Sequence, residues 1–316
     1  MGNQKIKQEI KQILISTTAF AEFDKTPLTL LEENGFNYSL NPYRRKLKAT
    51  EIIELAKEAV GIIAGTERLS DDIFSHLQKL KVISRCGSGM DNVDLQSAQK
   101  RGIKVYNTPD GPTRAVAELT VGVILNLLRH INQTDRIIRD GNWKKEMGNL
   151  LYGKKVGIIG FGRIGQKVCE LLSAFGVELS YCDIEPKSCP INCSQKTLKE
   201  ILTWADILTL HLSCSGGSKY IMGKRELSLM KQGSWLINLS RGGVVDEKAL
   251  YDALKNGHLC GAAMDVFEQE PYDGPLRGLD NIILTPHIGS YAKEARIKME
   301  IQAVENLLKG LKEDNK

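Results

Sequence analysis

The stretch Lys155-Val-Gly-Ile-Ile-Gly-Phe-Gly-Arg-Ile-Gly165 decides the fold. Val156 to Ile159 is a short apolar, β-branched run, the composition of a strand buried on both faces. Three glycines follow, Gly160, Gly162 and Gly165, in the spacing G-x-G-x-x-G. Arg163 to Phe175 then reads as a helix, with Ile164, Val168, Leu171, Leu172 and Phe175 on one apolar stripe. A dinucleotide needs this arrangement. Gly160 lets the chain turn tightly, Gly162 removes a Cβ so that backbone can approach a pyrophosphate, and Gly165 lets helix and strand pack closely. The helix N-terminus offers unpaired N–H groups and a positive dipole end to the phosphates.

Glycine-rich turns are common, so context carries the reading. Val177 to Tyr181 supplies the next strand, and Asp183 sits just past its end, 18 residues beyond Gly165. That is close to the offset of about 20 residues expected of a carboxylate that holds ribose hydroxyls. Such a carboxylate repels a 2′-phosphate, so the expected cofactor is NAD rather than NADP.

A chain of 316 residues is long enough for two domains. Its 42% hydrophobic and 26% charged content is that of a soluble globular protein. A net charge of +5, spread along the chain, argues for neither nucleic acid nor membrane as a partner. The absence of an 18-residue apolar run argues against a transmembrane helix. Met1 to Ile6 lacks a signal-peptide apolar region and has Ile6 where a myristoylation signal needs Ser or Thr. Seven scattered cysteines, among which Cys182, Cys189 and Cys193 cluster without a zinc spacing, read as reduced thiols of a cytoplasmic protein with no metal.

The first hundred residues alternate strand and helix. Strands are expected at Ile13–Ser16, Phe36–Leu40, Gly61–Ala64, Lys81–Arg85 and Ile103–Tyr106. Helices are expected at Thr50–Ala59, with Thr50 as cap, at Ser70–Leu80, and at Asp94–Arg101. Such alternation implies a parallel sheet with right-handed crossovers. Asn107-Thr-Pro-Asp-Gly-Pro112 interrupts it with turn residues, the place for a hinge. Arg114 to Arg139 follows as one long helix. Further strands are expected at Ile207–Leu210, Trp235–Leu239, Gly261–Val266 and Ile282–Leu284, with a final helix over Ser290–Leu311. The fold class is α/β: two doubly wound domains, a Rossmann domain over residues 106–288 and a flavodoxin-like domain from residues 1–105 and 289–316.

Three segments carry polar residues that a core has no use for: Asn238 to Leu250 with Arg241, Met264 to Pro271 with Asp265 and Glu270, and Leu284 to Ser290 with His287. Each follows an expected strand, and open parallel sheets bind ligands at strand carboxyl ends. A lone histidine is usually a satisfied structural one. An arginine, a glutamate and a histidine beside a dinucleotide crevice instead read as chemistry. Asp246 and Glu247 read as helix-cap charges, and His211 as structural. The glycosylation-like tripeptides at Asn37, Asn192 and Asn238 include one inside a strand end, which argues against secretion.

Together with Arg85-Cys-Gly-Ser-Gly-Met-Asp-Asn-Val-Asp94, Asn107-Thr-Pro109, Ala117-Glu-Leu119 and Asp140-Gly-Asn-Trp143, these segments resemble the D-2-hydroxyacid dehydrogenases, from about Gly61 to Leu311. The nearest branch is phosphoglycerate dehydrogenase, in a short form without a C-terminal regulatory domain. The resemblance implies His287 as acid/base, Glu270 as its carboxylate partner and Arg241 as the grip on the substrate carboxylate and carbonyl. It implies Gly87, Ser88 and Gly89 as the loop holding the other side of that carboxylate, and Asp265 as the contact of the nicotinamide carboxamide. Arg163, Ile164, Leu212, Leu239, Ser240 and Gly289 fall at cofactor-lining positions, although Arg163 also fits a solvated first turn. Arg85 stands where the phosphoglycerate branch places a phosphate-binding arginine, whereas Gly65 stands where that branch has a second. The implied substrate is a 2-hydroxyacid or 2-keto acid: 3-phosphoglycerate first, hydroxypyruvate or glyoxylate second. A homodimer is implied, and it matches the surplus apolar residues Val121, Ile124 and Leu128 on the long helix. A dinucleotide-sensing, co-repressor-like scaffold is the alternative of another class.

Overall fold

A computed structural model describes residues 11–189, 191–212 and 220–313; Met1 to Ile6 and Cys214 lie outside them. The protein is α/β throughout, with two parallel sheets. It divides into two compact units, residues 1–112 with 292–316, and residues 113–291.

The first unit alternates β1 (Lys11–Ile15), α1 (Thr26–Glu33), β2 (Phe36–Leu40), α2 (Ala49–Ala56), β3 (Ala59–Ala64), α3 (Asp71–Ser75), β4 (Val82–Arg85), α4 (Leu95–Lys100) and β5 (Lys104–Asn107). The strands pair in the order β2-β1-β3-β4-β5, all parallel. Alternate residues feed two cores. Leu14, Ile62 and Ile83 face one, and Ile13, Ile15, Ile63 and Val82 the other. Both faces are therefore covered, as parallel sheets require.

The second unit runs α5 (Asp110–Arg129), α6 (Ile131–Arg139), β6 (Lys155–Ile159), α7 (Arg163–Ser173), β7 (Glu178–Cys182), β8 (Cys193–Gln195), α8 (Leu198–Trp204), β9 (Ile207–Leu210), α9 (Lys224–Leu229), β10 (Ser234–Asn238), α10 (Glu247–Lys255), β11 (Leu259–Met264) and β12 (Ile282–Leu284). Its sheet order is β12-β11-β10-β9-β6-β7-β8. The chain runs outward from β6 through β7 to β8 on one side and then crosses back to β9 on the other side of β6, so the switch point lies between β6 and β9. Finally α11 (Lys293–Glu313) returns to the first unit and packs on β3, β4, β5 and α1. Its buried Arg296 pairs with Glu300 at 2.9 Å, and Glu300 accepts from the Ala21 N–H at 3.0 Å.

The structure corrects four expectations. The single helix Arg114–Arg139 is two, broken at His130, whose φ is +53°. Side chains offset the break: Asn126 accepts from the Asn132 N–H at 3.0 Å and donates to the Asn132 side chain at 2.8 Å. Thr50 does not cap α2. Lys48 stands there, its N–H satisfied by the Glu51 carboxylate at 2.8 Å. The helix expected over Ser70–Leu80 is the single turn and a half of α3, because the chain must turn at His76 to enter β4. Ile124 and Leu128, expected as surplus surface, are 1% exposed within the second unit's own core.

Candidate active site

The dinucleotide loop leaves the carboxyl end of β6 at the switch point. Gly160 has φ +87°, and a Cβ there would lie 2.4 Å from the His211 carbonyl oxygen. A Cβ on Gly165 would lie 2.1 Å from the Gly160 oxygen, so α7 packs too close for any side chain. Gly162 differs. A Cβ there would meet nothing within 4 Å, so its missing side chain keeps space open above the helix N-terminus rather than easing an internal contact. An open helix N-terminus of this shape has the room and the N–H donors that a pyrophosphate needs. Arg163 is exposed and Ile164 half-buried on the first turn of α7.

Asp183 follows β7, and its Oδ2 accepts from the Phe161 N–H at 2.6 Å, tying the carboxylate to the glycine loop. Lys187 pairs with Glu185 at 2.9 Å. Leu212 flanks Gly160, whereas Leu239 and Ser240 are buried; Ser240 donates to the Asn238 side chain at 2.7 Å. His211 bonds Thr209 Oγ1 through Nε2 at 2.9 Å, and its Nδ1 is shut from solvent without a partner among the described residues. Burial pushes its pKa down to about 3, so it is a neutral structural ring.

Strands β10, β11 and β12 are neighbours in register, Asn238 opposite Met264 and Met264 opposite Leu284. The residues that follow each strand therefore emerge side by side. His287 has φ +56°, and its Nδ1 lies 3.0 Å and 3.1 Å from the two Glu270 oxygens. Glu270 Oε1 also accepts from the Phe267 N–H at 3.2 Å. The carboxylate is thus aimed, and it fixes the ring with Nδ1–H toward it and Nε2 left over. Asp265 is 1% exposed and accepts from Thr285 Oγ1 at 2.6 Å, Ile288 N at 2.8 Å and Gly289 N at 2.8 Å. Burial raises its pKa, against those three bonds. A carboxylate has about four acceptor positions, so one remains for an external N–H donor.

Arg241 Nη1 donates to the Ser240 carbonyl at 2.7 Å. A Cβ on the next residue, Gly242, would lie 1.9 Å from the Phe267 oxygen, so the arginine turn lies against the loop carrying Glu270. Asp246 is a helix cap, accepting from the N–H groups of Lys248 and Ala249 at 3.0 Å.

In the first unit, Gly87 follows β4 with φ +151°, its N–H on Thr108 Oγ1 at 2.8 Å. The Ser88 carbonyl accepts from Asn107 Nδ2 at 2.7 Å, and Ser88 and Gly89 are half-buried. Arg85 donates from Nε to Asn92 Oδ1 at 3.0 Å and from Nη1 to the Cys86 carbonyl at 2.9 Å. Sequence reading missed Thr285, Gly242 and Asn92. Gly242 alone carried a signal, the doubled glycine after Arg241. The cysteine cluster also differs: Cys169 of α7, not Cys182, joins Cys189 and Cys193, with sulfur atoms within 4.8 Å of one another. Cys169 lies on another element, so spacing could not reveal it.

A switch-point phosphate cradle with a histidine–carboxylate pair beyond neighbouring strands of the same sheet defines a nucleotide-linked enzyme of the acid/base type. Residues 121–289 match the family model described as D-isomer specific 2-hydroxyacid dehydrogenase, NAD binding domain. A D-3-phosphoglycerate dehydrogenase of Methanocaldococcus jannaschii is 40% identical over 258 residues, 79% of this chain and 49% of that protein. A glyoxylate reductase of Pyrococcus furiosus is 35% identical over 295 residues, 89% of this chain and 88% of its own. The TT0316 protein of Thermus thermophilus superposes with a TM-score of 0.89 at 35% identity, covering 96% of this chain and 97% of that one. The chain belongs to the D-isomer specific 2-hydroxyacid dehydrogenase family, and the part that matches the family model is its NAD binding domain. It spans about half the length of the phosphoglycerate dehydrogenases it matches. Among the described residues no helix is long and apolar enough to cross a membrane.

Proposed function

We propose that this chain interconverts a short D-2-hydroxyacid and its 2-keto acid, with NAD accepting or supplying the hydride. The observation that carries the reading is the His287 Nδ1 contact with both Glu270 oxygens, 3.0 Å and 3.1 Å, on a strand end flanking the dinucleotide sheet. With Nδ1–H held by the carboxylate, Nε2 is the atom that gives a proton to the keto oxygen in reduction and takes it back in oxidation. Glu270 orients the ring through its contact with Nδ1. Arg241 neutralises the substrate carboxylate and polarises the carbonyl, which its planar fork suits better than a lysine would. In the first unit, the turn shaped by Gly87 offers the Ser88 and Gly89 N–H groups as a second place for a carboxylate to bind. Gly160, Gly162, Gly165 and Arg163 hold the pyrophosphate, Asp183 the ribose hydroxyls, and the spare acceptor of Asp265 the carboxamide. Ile164, Leu212, Leu239, Ser240 and Gly289 complete the cofactor wall. In this reading residues 106–288 form the NAD domain, and residues 1–105 with 289–316 the substrate domain.

Candidate substrates are 3-phosphoglycerate on one side and hydroxypyruvate or glyoxylate on the other, and they differ in the phosphate. Free thiols at all six described cysteines support a cytoplasmic setting. A homodimer is the expected assembly. A pure dinucleotide sensor has no need of an acid/base pair. Steady-state oxidation of NADH by 2-keto acids tests the reading. His287→Ala is expected to lose about 10²–10⁴-fold in kcat, and Glu270→Gln to lower kcat by less, because the ring loses the carboxylate that aims it. NADH is expected to exceed NADPH in kcat/KM. Near-normal turnover of the His287 variant removes histidine from the mechanism.

A further inference from the structure

We propose that Cys169, Cys189 and Cys193 form a thiolate site for one soft metal ion, zinc(II) or copper(I), at the edge of the seven-stranded sheet. The three ligands come from α7, from the connection between β7 and β8, and from β8 itself, so a bound ion clamps that connection onto the helix. The proposal is independent of the dehydrogenase reading and uses none of the residues that reading names.

Tertiary packing places each of the three. Helix α7 packs on β6 and β7, and its Cys169 is buried in the core it shares with them. Cys193 opens β8, the outermost strand, in register with Leu179 of β7, which belongs to that same core. Cys189 is brought in through Tyr181 of β7. The Tyr181 hydroxyl donates to the Lys187 carbonyl at 2.9 Å and accepts from the Lys187 N–H at 3.0 Å. Tyr181 is itself stacked on Phe161, with ring centroids 4.0 Å apart. The chain just before Cys189 is therefore fixed to the strand on which α7 packs.

The Cys169 and Cys189 sulfurs are 3.9 Å apart, and all three sulfurs lie within 4.8 Å of one another. Thiolates held about 2.3 Å from a common ion stand roughly 3.8–4.0 Å apart, whether in a trigonal plane or at tetrahedral corners. Closing the widest pair therefore takes less than about 1 Å. Among the described residues no carboxylate or imidazole joins the cluster. Sulfur alone is the donor set that selects zinc or copper(I) over magnesium or calcium. The surroundings do not suit a reactive thiol, which needs a neighbouring cation or a helix N-terminus. Among the described residues no Lys, Arg or His bonds any of the three sulfurs, and Cys169 sits in the middle of α7. Its hydrogen bond to Cys193, and then burial, hold the Cys169 thiol above its ordinary pKa, and burial raises Cys189. A soft cation supplies the missing positive charge itself, displacing the thiol protons as it binds. Three thiolates complete copper(I) in trigonal geometry, whereas zinc(II) keeps a fourth position for water.

The test uses the full chain, reduced and stripped of metal under anaerobic conditions. It is titrated with zinc(II), with copper(I), and with cobalt(II) as the spectroscopic stand-in for zinc. Expected is about one zinc or copper(I) ion per chain held against a chromophoric chelator, and a near-ultraviolet thiolate-to-metal absorption with cobalt. The ion retained when zinc and copper(I) are offered together is the occupant. Cys169→Ser, Cys189→Ser and Cys193→Ser should each weaken binding by at least about tenfold, whereas Cys260→Ser, on β11, should leave it unchanged. Metal should raise the Tm of the wild type and not that of Cys189→Ser, because only the folded chain assembles the site. Absence of the cobalt absorption overturns the proposal. So does metal binding that survives all three substitutions, or binding that leaves the wild-type Tm unchanged. If Cys169→Ser does not fold, the two half-buried positions, Cys189 and Cys193, decide.

Discussion

Asp265 shows how one side chain can hold a reacting turn. The turn from Thr285 to Gly289 has His287 at positive φ, a conformation that costs a non-glycine residue and persists only when its surroundings enforce it. Three donors from that turn converge on the buried Asp265 carboxylate. Asp265→Asn puts an amide N–H2 against at least one of them, leaving buried donors facing each other at a cost of about 1–3 kcal/mol. Expected are a lower Tm and a kcat for keto-acid reduction that falls more than the KM for NADH rises. Thr285→Val, which loses one bond of the three, should show a smaller effect in the same direction. Wild-type Tm and kcat in Asp265→Asn would show that the turn holds itself. The sequence could supply His287, Glu270 and Arg241, because each sits a few residues beyond a recognisable apolar strand. Thr285 was not legible, because its role depends on a partner 20 residues away.

Elements were legible where local pattern and tertiary packing agree. Phe36–Leu40, Ile207–Leu210 and Ile282–Leu284 fall where the sequence puts them, since apolar runs between turns leave little choice of ends. The long helix fails at His130 because nothing between Asn126 and Asn132 breaks a helix locally; the paired asparagines act only once folded together. The strand–glycine loop–α7 unit is the opposite case, and its glycines separate two physical roles. Gly165→Ala drives a Cβ to 2.1 Å from the Gly160 backbone oxygen, an overpacking worth about 1–3 kcal/mol, so the apoprotein should melt lower. Gly162→Ala adds its methyl to open space and should change apoprotein stability by no more than about 1 kcal/mol. On the proposed cofactor reading it should still raise the KM for NADH markedly, since its methyl would stand where the pyrophosphate approaches. A Gly162→Ala variant with an unchanged KM would mean that no ligand approaches there.

At the scale of the whole molecule, two alternating runs of strand and helix predicted two parallel sheets, since apolar strands separated by helices have no other way to bury both faces. Assembly was argued from the wrong residues. Ile124 and Leu128, taken as surface on the long helix, are buried inside one chain. The apolar surface that does need covering lies just beyond α6. Trp143 is 85% exposed, Met147 91%, Leu150 69% and Tyr152 75%, four large side chains within ten residues. The end of this stretch is anchored rather than loose, for the Asn149 N–H donates to the Leu128 carbonyl at 2.7 Å and a Cβ on Gly148 would meet that same oxygen at 2.6 Å. A fixed apolar arm is a poor surface for a monomer and a good one for a self-complementary contact. Light scattering at micromolar concentration is therefore expected to give twice the chain mass. Replacing Trp143 and Met147 together with serine, both exposed and so harmless to the core, should return the mass to that of one chain without lowering the apoprotein Tm of that chain. A wild-type protein that scatters as a monomer, or a double variant that stays dimeric, would move the interface elsewhere.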